Sequence, residues 1–163
     1  MRYHLFSLIL FTISVTAVAQ AQEAVFLIRH AEQMLDVEDP PLTDDGLNRA
    51  KAWASIFRDA GIDVIYTSKK IRTKQTGAPI ASELNIPLKT MSRRDVSGLV
   101  NQVRKEHGDD VVLIVGHSKT IPKLVEAFVP STKGPTIEKD DYNNLFVIVP
   151  KGENDATILR LRY

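Results

Sequence analysis

Short apolar runs recur along the chain, and the longest of them stop at polar residues with reactive side chains. Ala24–Ile28 and Val111–Val115 are continuous, rich in β-branched types and only five residues long, the pattern of strands buried on both faces. Val64–Thr67 reads the same way, and Pro87–Thr90 as a short further strand. Leu145–Val149 and Thr157–Leu161 form a last pair, with Gly152-Glu153-Asn154-Asp155 between them as a hairpin turn. Between the strands the period changes to that of a helix. Thr43 caps a segment with Asp44 and Asp45 in its first turn, Leu47, Ala50, Trp53, Ala54 and Phe57 on its apolar face, and Gly61 as its stop. A second helix starts near Arg72, and Pro79 inside it predicts a kink or an early break. Val96–Lys105 is a third, with Leu99, Val100 and Val103 facing inward. Thr120 and Pro122 start a fourth, which carries Leu124, Val125 and Phe128. Strand and helix signals alternate without repeats or a dividing linker. The expected fold is α/β, a mainly parallel sheet flanked by helices with an antiparallel edge.

Composition changes the picture mainly at the start of the chain. Arg2 precedes an apolar stretch from Leu5 to Val18, and Ala17-Val18-Ala19 and Ala19-Gln20-Ala21 follow. A cationic start, a short apolar centre and an Ala-x-Ala site describe a secretory signal peptide rather than a membrane anchor. The expected organisation is therefore a leader over residues 1–21 and one domain over residues 22–163, with no stable membrane anchor after cleavage. Of the 21 Lys and Arg, only Arg2 lies in the leader, so the remainder balances the 20 Asp and Glu. A neutral domain argues against nucleic acid as a partner. There is no cysteine, which excludes disulfides and thiolate–metal sites. A secreted domain without cystines points to a bacterial periplasm.

The candidate chemistry sits just past the strand ends. Arg29-His30 follows the first strand, Ser68 and then Arg72 follow the second, and Gly116-His117-Ser118 follows Val111–Val115. In open α/β sheets the carboxyl edge of the strands is where ligands bind. Two guanidiniums match the charge and the oxygen geometry of a phosphate monoester. A neutral imidazole is a competent nucleophile toward phosphorus, and nearby cations keep it neutral. A second imidazole can hold the transferring oxygens as charge builds, and Gly116 would let backbone approach a ligand. Any one of these residues alone is more often structural, since a lone histidine after a strand usually is. Their joint placement carries the signal. Metal is not expected, because no further ligand is evident beside His30 and His117 and paired guanidiniums repel cations.

With these residues in place the sequence resembles the histidine phosphatase (phosphoglycerate mutase-like) superfamily. Arg29-His30-Ala31-Glu32 is similar to its Arg-His-Gly/Ala motif, and Leu42-Thr43-Asp44-Asp45-Gly46 to its Leu-Thr/Ser-x-x-Gly helix start. Ser68, Arg72 and Gln75-Thr76 resemble its Ser-x-x-x-Arg-x-x-Gln-Thr segment, and Val115-Gly116-His117-Ser118 its second-histidine motif. The likeness runs from Ala24 to about Leu124 in the family's order. It implies a three-layer α/β/α sandwich and a phosphoric monoester hydrolase of the histidine acid phosphatase type. His30 would become phosphorylated, with Arg29, Arg72 and His117 as its catalytic partners, Ser118 binding substrate and no cofactor.

The chain departs from the family where many members carry a glutamate as general acid. Here Thr90-Met91-Ser92-Arg93-Arg94-Asp95 contains none. Asp95 and Glu32 are the candidate proton donors, although Asp95 equally suits a helix cap and Glu32 a solvated loop. The short chain and missing acid resemble compact phosphohistidine-type phosphatases more than mutases. Lys69, Lys70, Arg93, Arg94 and Lys119 suggest a cationic rim for anionic substrates, and Asp140-Asp141-Tyr142 either a flap or a polar turn. The expected function is a periplasmic phosphomonoesterase acting on a small phosphorylated substrate. A non-catalytic phosphate-ligand binder is the alternative, and a phosphomutase the least favoured reading.

Overall fold

Each apolar run becomes a strand of one six-stranded sheet in the computed structural model, which describes residues 24–151 and 155–163. The chain runs β1 (Ala24–Arg29), α1 (Asp44–Phe57), β2 (Val64–Ser68), α2 (Ile71–Leu84), β3 (Leu88–Met91), α3 (Val96–Glu106), β4 (Val111–Gly116), α4 (Ile121–Phe128), β5 (Asn144–Pro150) and β6 (Ala156–Arg162). The strand order is β3-β2-β4-β1-β5-β6. β1, β2, β3 and β4 are parallel, and β5 and β6 form the antiparallel edge. The expected leader lies outside the described residues, as do positions 152–154 of the expected hairpin turn. Among the described residues no helix is long and apolar enough to cross a membrane.

Successive side chains on a strand point to opposite faces, and both faces here are covered. Ile28, Ile65 and Leu113 pack under Trp53 and Phe57 of α1 and Ile80 of α2. Leu27, Tyr66 and Ile114 pack under Leu99 and Val103 of α3 and Leu124 of α4. This is the expected three-layer α/β/α sandwich, and it explains why the central strands are unbroken apolar runs rather than alternating ones.

The order places β4 between β1 and β2, although the chain visits β2 first. The helix after β1 covers one face and the helix after β4 the other. Their leading loops therefore diverge and open a crevice at the carboxyl edge, the usual position for a ligand site in such sheets. Register puts Arg29 directly beside Gly116, and the His30 N–H donates to the Gly116 carbonyl at 3.0 Å.

Two local expectations need correction. α2 does not break at Pro79. The lost backbone bond is tolerated because the turn around it is anchored, with Thr76, Gly77 and Ile80 all buried against the sheet side. Leu47 is 39 % exposed, and Gly46 takes its place in the α1 interface, where a Cβ would strike the Glu32 carbonyl. At Gly116 an added Cβ would lie 2.9 Å from Ile121 Cδ1. The missing side chain at Gly116 thus makes room for Ile121 at the start of α4.

Candidate active site

Backbone and side-chain bonds from the polar motifs fix the loop after β1. The Ala31 N–H donates to Thr76 Oγ1 at 3.0 Å, and that hydroxyl donates to the Arg72 carbonyl at 2.8 Å. The Leu42 N–H donates to Gln75 Oε1 at 2.7 Å. The Thr43 N–H donates to the Glu32 carbonyl at 3.0 Å, while Thr43 Oγ1 caps α1 by accepting from the Gly46 N–H at 3.1 Å. Gln75, Thr76 and Thr43 thus hold the loop that carries His30 rather than line the site.

Arg29, His30, Arg72 and His117 come together around a cavity of about 480 Å³, with Ser118 on its wall. The two imidazole rings lie 5.3 Å apart. His30 Nδ1 is 2.8 Å from the Ala31 carbonyl. A carbonyl only accepts, so Nδ1 carries the proton and Nε2 keeps its lone pair. Burial, reinforced by the charges of Arg29 and Arg72 and by His117, pushes the His30 pKa down to about 3 against the hydrogen bond to Ala31. The imidazole is neutral at any physiological pH.

His117 resolves in the opposite sense. Arg72 Nη2 reaches His117 Nδ1 at 3.4 Å, and a guanidinium only donates. The proton therefore sits on Nε2, which donates to Ser68 Oγ at 3.0 Å. Ser68 Oγ lies 2.9 Å from Thr73 Oγ1, which reaches the Lys70 carbonyl at 2.9 Å. Burial and then the charges of Arg72, Arg93 and Arg29 lower the His117 pKa to about 4.

The guanidiniums are only partly satisfied. Arg29 Nη1 donates to the carbonyls of Glu138, Lys139 and Asp141 at 3.1, 2.8 and 3.2 Å. The Tyr142 ring lies 4.0 Å from its Cζ and 6.1 Å from the His30 ring. Arg29 thus ties the polar turn at 138–142 to the His30 side of the site. Arg72 Nη1 stands 3.6 Å from Asp39, whose carboxylate is also 3.5 Å from Lys70 Nζ. Nε of Arg29 and Nε of Arg72 are both buried with no hydrogen-bond partner. Two orphaned cationic donors beside one cavity are a cost unless an anion satisfies them.

The carboxylates expected as proton donors are placed elsewhere. Asp95 caps α3, with its Oδ1 accepting from the Gly98 N–H at 2.8 Å. Glu32 is gripped by Arg49 Nε at 2.8 and 2.9 Å and by Arg49 Nη2 at 2.7 Å. Burial works to raise the Glu32 pKa, but the Arg49 bonds and charge outweigh it and hold the carboxyl below its usual value. Neither residue lines the cavity, so the expectation of a carboxylic donor at either position finds no support in these placements. Arg93, Arg94 and Lys119 of the expected rim do line it, and Lys123, which the sequence reading overlooked, joins them. Lys123 lies in the first turn of α4 and Lys119 in the turn before it, so the helix start brings both to the cavity. Asp39 was also overlooked, since its pairing depends on the path of an irregular loop. Among the described residues no group of three or more His, Asp or Glu is placed to hold a metal ion.

The sandwich and its strand-end site define a phosphoglycerate mutase-like fold. Residues 25–95 match the model of the histidine phosphatase superfamily (branch 1). The structure of the protein histidine phosphatase SixA complexed with tungstate is similar, with a TM-score of 0.70 and 20 % identity over 85 % of this chain and 96 % of that one. A mycobacterial glucosyl-3-phosphoglycerate phosphatase aligns with a TM-score of 0.65 and 12 % identity over 87 % of this chain and 98 % of its own. At these identities the likeness is one of fold. No curated protein matches the sequence.

Proposed function

We propose that the protein is a phosphomonoesterase that works through a phosphohistidine at His30. The observation that carries this reading is the pairing of a neutral His30, its Nε2 lone pair free, with two guanidiniums whose buried Nε donors have no partner among the described residues. The His30 Nε2 attacks phosphorus as the ester P–O bond breaks, and the released oxygen takes a proton from water. Water then attacks the phosphohistidine, which frees inorganic phosphate and restores the imidazole. Arg29 and Arg72 hold the equatorial oxygens, and their unused donors favour the transition state, where charge on those oxygens is greatest. His117 and Ser118 complete the cradle. Among the described residues no carboxylate lines the cavity, which favours esters and phosphoramidates whose leaving groups need little help from an acid. Phosphohistidine is one such substrate. The Arg2, apolar and Ala-x-Ala pattern of residues 1–21 supports export, and the absence of cysteine a bacterial periplasm.

The same lack of a donor favours a second reading, a phosphate-ligand binder without turnover. One experiment separates the two. Wild type and His30→Ala are mixed with p-nitrophenyl phosphate, and the acid-labile phosphoenzyme is trapped in the first turnover. The enzyme reading expects a stoichiometric phosphoenzyme and a loss of turnover by several orders of magnitude in His30→Ala. A folded His30→Ala protein with near-normal activity refutes the mechanism, and phosphate binding without any phosphoenzyme in wild type supports the binder.

A further inference from the structure

Among the described residues six cationic side chains line the cavity, and no carboxylate does. Arg29 and Arg72 are enough to neutralise a transferring phosphoryl dianion, and His30 and His117 are neutral and add nothing to the charge. Arg93, Arg94, Lys119 and Lys123 are left over. Among the described residues none of these four has an ion-pair partner. Elsewhere on the same surface arginines do pair: Arg49 with Glu32, Arg58 with Glu83, and Arg160 and Arg162 with Asp141. The domain is neutral overall, so the local excess is not an average property of the chain.

Solvated lysines are common on any surface, but two features set this group apart. It converges from two separate elements, the loop between β3 and α3 and the start of α4, on one concave space. It also acts on the site itself, since the Arg93 charge helps to lower the pKa values of both Arg72 and His117. Bringing like charges together is unfavourable unless a ligand supplies the opposite charge. A cavity of about 480 Å³ has room for a small organic ester, not merely for phosphate.

We propose that the cavity selects phosphate esters whose leaving group bears a second anionic group, a carboxylate or a further phosphoryl group, with Arg93 and Arg94 as its principal partners. This rests on the phosphomonoesterase reading above. The transferring phosphoryl group lies between Arg29 and Arg72, and the second anion lies toward the β3–α3 loop. Adjacent guanidiniums suit it because each offers a planar fork of donors to carboxylate or phosphate oxygens.

The test compares phenyl phosphate with 4-carboxyphenyl phosphate and 4-phosphonophenyl phosphate, which share the transferred group and the ring. kcat/KM is measured for wild type, for Arg93→Gln/Arg94→Gln, and for Arg58→Gln/Lys105→Gln, which removes the same charge at helix ends on the opposite edge of the sheet. Wild type is expected to prefer the doubly anionic esters by roughly three- to fivefold, as for charge-assisted contacts to exposed arginines. That preference should collapse in the Arg93/Arg94 variant, persist in the charge-matched control, and weaken as salt rises. A preference for the carboxylate ester alone, or for the phosphonate alone, identifies which anion the subsite takes. Equal efficiencies for all three esters in wild type, or equal losses in both variants, overturn the proposal and leave the phosphatase reading intact. If wild type turns over none of them, the phosphatase reading falls. Calorimetric binding of phenyl phosphate against 4-carboxyphenyl phosphate then decides the subsite: tighter binding of the latter supports it and equal binding overturns it.

Discussion

One hydrogen bond sets the chemistry of His30. By committing Nδ1–H to the Ala31 carbonyl it leaves the Nε2 lone pair free, and burial keeps that nitrogen unprotonated. Arg72 is equally constrained. One terminal nitrogen reaches His117, the other faces Asp39, and its Nε is buried without a partner. A lysine carries the same charge but offers a point donor on a flexible stem and cannot make these contacts together. Arg72→Lys should therefore lower kcat/KM for p-nitrophenyl phosphate by roughly a hundredfold or more, as expected when transition-state contacts are lost, and steady-state kinetics on the folded variant checks it. Unchanged kinetics would place Arg72 outside the reacting geometry. Arg29, His30 and His117 were legible in the sequence because each lies at or just past the end of an apolar run that must be buried, and Arg72 because it opens the helix after such a run. Asp39 was not, because it sits in a loop with positive φ at Asp36 and Asp39 and no periodic pattern reports where such a loop folds back.

Among the elements, α3 decides what the missing acid means. Its N-terminal residue was readable in two ways, and the structure shows Asp95 capping the Gly98 N–H. Replacing such a cap with alanine costs about 1 kcal/mol, so Asp95→Ala should lower the urea midpoint by a corresponding amount. Its effect on the dependence of rate on leaving-group pKa should be nil. That dependence should be steep in wild type already, across a series of aryl and alkyl phosphates, because among the described residues no carboxylate lines the cavity. A proton donor typically contributes a factor of about a hundred to ten thousand. A slope that is shallow in wild type and steepens in Asp95→Ala would mean that the cap also donates. Helix and strand identities were legible throughout, since period and capping residues are local signals. The course of α2 past Pro79 was not, because the packing that tolerates the proline comes from the sheet side rather than from the helix itself.

At the scale of the whole molecule the decisive step is the insertion of β4 between β1 and β2. It sets His30 and His117 side by side in a buried, cationic setting; the strand-end motifs pointed to one shared edge, but the strand order that makes the two rings neighbours is not a local signal. The insertion has a consequence for stability. In the unfolded chain each imidazole takes a proton near pH 6.5, whereas in the folded protein His30 and His117 resist protonation until pH falls to about 3 and about 4. Their pKa values are lowered by folding, so the unfolded state binds more protons and stability must fall as pH drops below 6.5. The loss approaches about 1.4 kcal/mol per pH unit for each imidazole once the unfolded chain is fully protonated. Carboxylates such as Glu32, whose folded pKa lies below 4.5, join only at lower pH. Between pH 6.5 and 4.5 the two histidines should therefore dominate the slope. Urea unfolding at a series of pH values, in buffers free of phosphate that would bind the site, measures it. The expected outcome is a decline over that window in wild type and a much flatter profile in His30→Asn/His117→Asn, with the variant gaining relative stability as acid is added. Parallel profiles for the two proteins would show that these imidazoles are already protonated in the folded state, and the neutral nucleophile would be lost with them.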